Sequence, residues 1–375
     1  MAKQYKIITY GCQMNEHESE KLAGFLTEEG YEPAEDKADA DVIVLNTCCV
    51  RAGAESRVYG NLGALLPLKR QKPSLILAVC GCMAQNEQAF ETLKTRYPYV
   101  DIVFGTHNFD KFREFLRRRT EAGERVLERE ESNGPIVEGG VYRRDKKSRA
   151  YVNIMYGCDN FCSYCIVPYV RGRERSREPR YILQEIGELI ERGAKEFTLL
   201  GQNVNSYLGE ENGTATDFPG LLRRIDGLRG DFTFTFMTSH PKDLSDDTIE
   251  AVAMCAKLKK EIHLPVQSGG DAILSAMNRN YTAARYLDRL DKIRARIPAC
   301  AVSSDIIVGF PGETEADFQA TLALVRRARF STLFMFMYSE RPGTPAAEMP
   351  DKVPEAVKKR RLKELIELQR ELLKN

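Results

Sequence analysis

Cys158, Cys162 and Cys165 stand in one short run, Gly157-Cys-Asp-Asn-Phe-Cys-Ser-Tyr-Cys-Ile166, with three residues between the first pair and two between the second. Thiolates that close in one loop can hold three irons of a cubane iron–sulfur cluster. An all-cysteine cubane takes four ligands. A three-cysteine loop therefore leaves one iron open to a small molecule, as catalytic metal sites keep a free position. A structural zinc knuckle or a set of buried thiols is the competing reading, but no further Cys or His lies nearby in sequence to complete a zinc site.

A second set is dispersed. Cys12, Cys48 and Cys82 each follow an apolar stretch with strand character and precede a helical one. In a parallel sheet the carboxyl ends of strands gather at one edge, where ligands bind. Helix N-termini favour a thiolate or an anionic cluster. The three are thus expected to converge on a second metal site. Cys49 and Cys80 compete for the role, with Cys49 expected to point away from its neighbour Cys48. A zinc site there would need a fourth ligand such as His17 or Cys80. Cys255 and Cys300 suit ordinary core positions.

The elements that must position these thiols are legible as strand–helix alternation. The chain has 375 residues, 43% hydrophobic and 29% charged, with a formal net charge of +1 and ten cysteines. That length allows two domains. The composition contains no membrane-length apolar stretch and no secretory leader, so a cytoplasmic protein is expected, with cysteines used for metal or redox chemistry and not for disulfides. Strands are expected at Tyr5–Tyr10, Asp41–Thr47, Ser74–Val79 and Asp101–Phe104, and helices at Glu16–Glu29 and Ala52–Lys69. Continuous apolar strands between helices imply a parallel sheet covered on both faces, an α/β fold. We assign residues 1–120 to this N-terminal domain and 121–148, with Gly134, Gly139 and Gly140, to a charged link. Residues 149–345 restart the alternation with strands at Tyr151–Tyr156, Glu196–Leu200, Phe232–Met237, Glu261–Val266, Val302–Val308 and Thr332–Tyr338. Amphipathic helices at Tyr181–Arg192 and Thr314–Arg327 fill two of the gaps. Six β/α units fit a partial barrel, shorter than a full eight-unit one. Residues 346–375 end in a helix at Pro354–Lys374, with Leu362, Leu365, Ile366, Leu372 and Leu373 as its apolar stripe.

The cysteine loop at the start of a β/α domain resembles the radical S-adenosylmethionine (SAM) enzymes, in which the open iron chelates SAM. An aromatic residue before the third cysteine lies near the adenine in that family, and Tyr164 holds that place here. The segments Tyr10-Gly-Cys-Gln-Met-Asn-Glu16, Asn46-Thr-Cys48 and Cys80-Gly-Cys-Met-Ala-Gln85 resemble the methylthiotransferases of this class, as does the loop continuing through Val167-Pro-Tyr-Val-Arg-Gly172. Gly-Cys-Gln-Met-Asn points to the branch acting on isopentenyl-adenosine of tRNA. The resemblance implies a 4Fe-4S cluster on Cys158, Cys162 and Cys165 and an auxiliary 4Fe-4S cluster on Cys12, Cys48 and Cys82. It implies SAM as both methyl donor and radical source, and a methylthio group delivered to carbon 2 of the adenine next to the anticodon. The family's small RNA-binding barrel does not follow Asn375, so weak, salt-dependent tRNA binding is expected.

Substrate contacts are read from the strand ends and from one basic run. Arg171, Arg173, Arg175 and Arg177 follow the cysteine loop, with Tyr169 as a stacking face; arginine forks suit phosphate oxygens of a tRNA anticodon stem-loop. The plainer reading is a solvated, salt-bridged loop. The barrel mouth is expected to be lined from the carboxyl ends of its strands. Family resemblance adds Asn203, Gln267, Ser304 and Asp305 to Tyr164 as SAM contacts, and it names no catalytic residue beyond the cluster ligands. A reductant such as flavodoxin or ferredoxin, no membrane, and a monomer complete the expectation. The alternatives are methylthiolation of threonylcarbamoyl-adenosine or of a ribosomal-protein aspartate, and a non-catalytic two-cluster electron or sulfur carrier.

Overall fold

The computed structural model describes residues 2–49, 52–131, 134, 136–139, 142–143 and 148–374. Gly140 and other parts of the expected link, and Asn375, lie outside the described residues. The chain divides into two compact units. One runs to Gly157 and takes in Ile166–Arg175; the other comprises Cys158–Cys165 and the chain from Ser176 onward.

The first unit is built on six strands, β1 (Lys3–Thr9), β2 (Tyr31–Pro33), β3 (Val42–Thr47), β4 (Ile76–Gly81), β5 (Ile102–Phe104) and β6 (Val126–Glu128), in the order β2-β1-β3-β4-β5-β6. All neighbouring pairs are parallel. β3 and β4 are buried along their whole length, so alternate side chains feed two cores. Ile43, Leu45, Leu77 and Val79 pack with Val58, Leu62 and Leu65 of the helix Ala52–Gln71. Val42, Val44, Ile76 and Ala78 pack with Leu22, Phe25 and Leu26 of the helix Gln13–Glu28. The helices that follow β1 and β3 therefore lie on opposite faces, which makes the gap between these two strands the switch point where such sheets bind ligands. The edge strands β2 and β6, three residues each, are not revealed by the sequence pattern. β6 falls inside the segment read as a charged link, because its three residues pair with β5 despite the charges around them.

In the second unit, Glu196–Leu200 pairs parallel with Thr233–Phe236, and Ala301–Val308 lies between Glu261–His263 and Thr332–Met337, again parallel. Helices Pro179–Glu191, Phe218–Asp226, Asp246–Met254, Ala283–Arg296 and Glu315–Ala328 intervene, as in a partial β/α barrel. An antiparallel hairpin, Leu208–Glu211 with Thr214–Asp217, interrupts the alternation. Its turn residues Asn212 and Gly213 both have positive φ, 52° and 77°, as a two-residue hairpin requires. The last helix, Glu355–Leu372, buries Arg361, Leu365, Leu368 and Gln369; Leu373, expected on the apolar stripe, is exposed. The stripe shifts because Arg361 turns inward to pair with buried Glu313 (Nη1–Oε2 2.7 Å). Among the described residues no helix is long and apolar enough to cross a membrane.

Candidate functional site

All ten cysteines are free thiols. Cys12 is the N-cap of the helix Gln13–Glu28 at the end of β1, Cys48 follows β3, and Cys82 opens a single helical turn after β4. Glycine makes two of these corners possible. Gly11 (φ +114°) and Gly81 (φ +93°) adopt backbone open to glycine, and a Cβ on Gly81 would sit 2.5 Å from the Thr47 carbonyl oxygen. A Cβ on Gly11 would sit 2.5 Å from Cys48 Cβ, which places the Cys12 corner directly against Cys48. Asn15 and Asn46 lock the same edge: Asn15 Nδ2 donates to Asn46 Oδ1 (3.2 Å) and to the Thr47 carbonyl (2.8 Å), and Asn46 Nδ2 donates back to the Asn15 carbonyl (2.9 Å).

Cys49 departs from expectation. It does not point away but packs with Cys82, Ile166 and Val170 in one buried cluster. The Cys49–Cys82 hydrogen bond is the largest influence on Cys82, whose thiol is lowered to about 7 with the Arg171 charge assisting against burial. Four cysteines, 12, 48, 49 and 82, thus gather at the carboxyl edge. Cys80 faces the apolar core beside Val44 and Phe104, and burial raises its thiol well above the usual range. His17 stacks on Tyr142 at 5.0 Å. Neither offers the fourth zinc ligand considered from sequence. Among the described residues no three His, Cys, Asp or Glu side chains converge tightly enough to share a single ion.

Arg171, expected to face phosphate, is turned the other way. It is buried, its Nε donates to Cys82 Sγ (3.2 Å), and its guanidinium pairs with buried Glu18 (Nη2–Oε2 3.1 Å). Arg177 is likewise buried, bound to Glu185 (2.7 Å). Arg175 is half-buried and donates to the Gly134 carbonyl (3.0 Å). Of the basic-loop residues singled out, Tyr169 and Arg173 are exposed. The difference has a simple origin. Arg171 ends the packed helix Val167–Arg171 and Arg177 is drawn inward by Glu185, so the run does not present all of its arginines to water.

In the second unit the loop Cys158–Cys165 is held by the segment after the helix Asp271–Ala276. Ser163 N donates to the Met277 carbonyl (3.0 Å), Ser163 Oγ to the Ala276 carbonyl (2.7 Å), and Asn278 Nδ2 to the carbonyls of Asn160 (3.0 Å) and Phe161 (3.1 Å). Two sulfurs receive N–H donors: Cys158 from Asn160 Nδ2 (3.5 Å) and Cys162 from Arg279 Nη1 (3.4 Å). Hydrogen bonds to cysteine sulfur are the environment that iron–sulfur thiolates take. An all-thiol donor set with such donors fits a cluster at each place. Asn278 and Arg279 escaped the sequence reading; the polar run Met277-Asn-Arg-Asn-Tyr281 was the available signal.

The carboxyl ends of the barrel strands collect buried polar atoms that have no protein partner. These are Asn203 Oδ1, both amide atoms of Asn205, Ser239 Oγ, His240 Nε2 and Gln267 Oε1. Unpaired polar atoms in an interior are costly unless a ligand or water meets them, so this end fits a polar molecule such as SAM. Asn203 Nδ2 is held by Asp243 (2.8 Å), which aims its free oxygen. Ser304 and Asp305, both expected among the SAM contacts, lie on opposite faces of their strand, as the pleat demands. Ser304 is fully buried and braces the neighbouring strand through Leu264 O (2.9 Å) and Val266 N (3.0 Å), whereas Asp305 faces His263 Nε2 (3.4 Å). Tyr164 receives Arg279 Nη1 on its hydroxyl (3.4 Å).

With this geometry the comparisons agree. Residues 152–325 match the Radical SAM superfamily, and residues 4–105 match the uncharacterized protein family UPF0004. The chain is similar to the tRNA-2-methylthio-N(6)-dimethylallyladenosine synthase of Clostridium tetani, 54% identical over 96% of this chain and 80% of that protein. The protein of the same name from Carboxydothermus hydrogenoformans is 52% identical over 98% of this chain and 83% of its own. Among solved structures, the radical SAM methyltransferase TsrM from Kitasatospora setae, with cobalamin and a [4Fe-4S] cluster bound, shares the fold: TM-score 0.68, 15% identity, 92% of this chain and 77% of that one. The fold and thiol loop define a radical-SAM enzyme. The chain belongs to the tRNA-2-methylthio-N(6)-dimethylallyladenosine synthase family.

Proposed function

We propose that this enzyme adds a methylthio group to carbon 2 of an N6-dimethylallyl (isopentenyl) adenosine next to the tRNA anticodon. The observation that carries the reading is the presence of two thiol sets, one at the carboxyl edge of the first unit's parallel sheet and one in the loop Cys158–Cys165, in a chain that matches synthases of that name along nearly its whole length. Cys158, Cys162 and Cys165 would hold one 4Fe-4S cluster, the one that engages SAM, and Cys12, Cys48 and Cys82 would hold the auxiliary cluster. When bound, the clusters supply the electron that splits SAM and the sulfur that is transferred.

The chain's own residues bind and orient. Asn203, Gln267 and Tyr164 contact SAM, and the unpaired atoms of Asn205, Ser239 and His240 offer further donors and acceptors to the nucleoside. The target base must leave its stack to reach this interior. Tyr169 and Arg173, both exposed, meet the anticodon stem-loop. A small electron-transfer protein of the flavodoxin or ferredoxin class is the reductant, and the enzyme acts as a cytoplasmic monomer.

The test is anaerobic reconstitution with SAM, reductant and tRNA bearing the dimethylallyl group, followed by nucleoside mass spectrometry. The methylthio product should appear on that adenosine. Product on threonylcarbamoyl-adenosine, or on a ribosomal-protein aspartate, would move the chain to a sister activity. SAM cleavage in no condition would leave a two-cluster carrier. In tRNA binding, Arg173→Ala should lower the salt dependence, because fewer neutralised phosphates release fewer counterions.

A further inference from the structure

We propose that Arg279 is a positioning residue whose uncancelled positive charge favours reduction of the cluster on Cys158, Cys162 and Cys165. The proposal rests on the assignment of a cluster to that loop.

The backbone aims Arg279 inward. Asn278 and Asn280 on either side of it both adopt φ +57°, the left-handed region that asparagine tolerates better than most residues. The side chain between them is buried and saturated with partners. Nε donates to Tyr281 Oη (2.9 Å), Nη2 to the Pro265 carbonyl (2.7 Å), and Nη1 to both Cys162 Sγ and Tyr164 Oη (3.4 Å each). Tyr281 is itself anchored to the Val266 carbonyl (2.9 Å), so the guanidinium has little freedom to leave.

What is missing is an anion. Among the described residues no carboxylate forms an ion pair with Arg279; the ionisable groups that face it are Cys162, Tyr164, Tyr281 and His240. Burying an unpaired guanidinium is strongly unfavourable. A cluster ligated by Cys162 supplies the counter-charge at the one place the side chain is aimed. One-electron reduction adds a further negative charge there, and a fixed cation in a low-dielectric interior stabilises the reduced state. The other buried arginine that touches a thiol, Arg171, differs on this point, since Glu18 already cancels its charge.

The test is an EPR-monitored redox titration of the reconstituted holoenzyme, reading the reduced cluster whose signal responds to SAM. Arg279→Gln should make reduction at least tenfold less favourable, a fall in midpoint of about 59 mV for one electron. Arg279→Lys, which keeps the charge, should stay within threefold of the parent protein. An unchanged midpoint in the Gln variant overturns the proposal, as does a Lys variant that falls as far as Gln. If the Gln variant loses its iron, the Lys variant decides alone: a loss within threefold upholds the proposal, and a larger one overturns it. Loss of SAM binding with an unchanged SAM-free midpoint would make Arg279 a SAM ligand instead. If a variant lacking Cys158, Cys162 and Cys165 keeps the SAM-responsive signal, the cluster assignment fails, and not the role of Arg279 alone.

Discussion

The two thiol sets solve one chemical problem by opposite routes. The loop Cys158–Cys165 is contiguous, and its shape comes from a local turn (Cys165 N to Cys162 O, 2.8 Å) braced by Ser163 and Asn278. The N-terminal set is assembled from three strand ends separated by more than thirty residues each, and only the parallel sheet brings them together. Each set contains a buried arginine donating to one sulfur, but the charges around them differ. Arg171 is neutralised by Glu18, whereas Arg279 is met by phenols and a thiol. On the proposed division of labour, a site that stores sulfur needs its cysteines held, while a site that must accept an electron gains from a spare positive charge.

The division of labour can be broken most completely by removing either set. Replacing Cys158, Cys162 and Cys165 by Ala should abolish 5′-deoxyadenosine formation and leave about half of the roughly eight irons of two four-iron clusters. Replacing Cys12, Cys48 and Cys82 should preserve reductive SAM cleavage and eliminate methylthio product. Methylthio product that survives the second change would erase the distinction. Iron analysis of Cys49→Ser against Cys48→Ser sharpens it further; equal iron loss would make Cys49 a ligand.

The paired arginine offers the next largest effect. Arg171→Met should destabilise the protein by about 3–5 kcal/mol, because Glu18 is left buried and unpaired, and adding Glu18→Gln should recover most of that loss. Denaturant unfolding of both variants checks this, and a single variant within about 1 kcal/mol of the parent would show the pair to be dispensable. Gly81→Ala should lose about 1–3 kcal/mol, since φ +93° and ψ −160° lie in a glycine-only region. Gly213→Ala, at positive φ but in open space, should lose less; equal losses would mean that crowding against Thr47 is irrelevant.

The smallest effect is a pH dependence beside Arg279. Burial first, then the Arg279 and Lys242 charges, hold His240 down to about 2. The unfolded histidine titrates near about 6.5. Between these values the unfolded state binds a proton that the folded state refuses, so stability falls as the pH drops below about 6.5. At pH 5 this one group should contribute about 2 kcal/mol of destabilisation relative to pH 8. The parent protein should therefore lose that much more than His240→Asn between the two pH values, and matched losses would place the acid sensitivity elsewhere.

Spacing alone made the loop cysteines legible, because ligands within one turn need no tertiary information. Strand-then-cysteine order made Cys12, Cys48 and Cys82 legible, since any parallel sheet gathers its carboxyl ends on one side. Apolar periodicity revealed the central strands β1, β3, β4 and β5, but not the three-residue edge strands, which bury too little to leave a pattern. Side-chain direction was the part that sequence left open. Cys49 turned toward Cys82, Arg171 and Arg177 turned inward to carboxylates, and Ser304 faced away from Asp305. An arginine reads the same in sequence whether it meets phosphate, carboxylate or sulfur. Its partner is chosen by which segments fold beside it, so the identity of the chemistry was written in the chain, while the charge placed next to each sulfur was decided by packing.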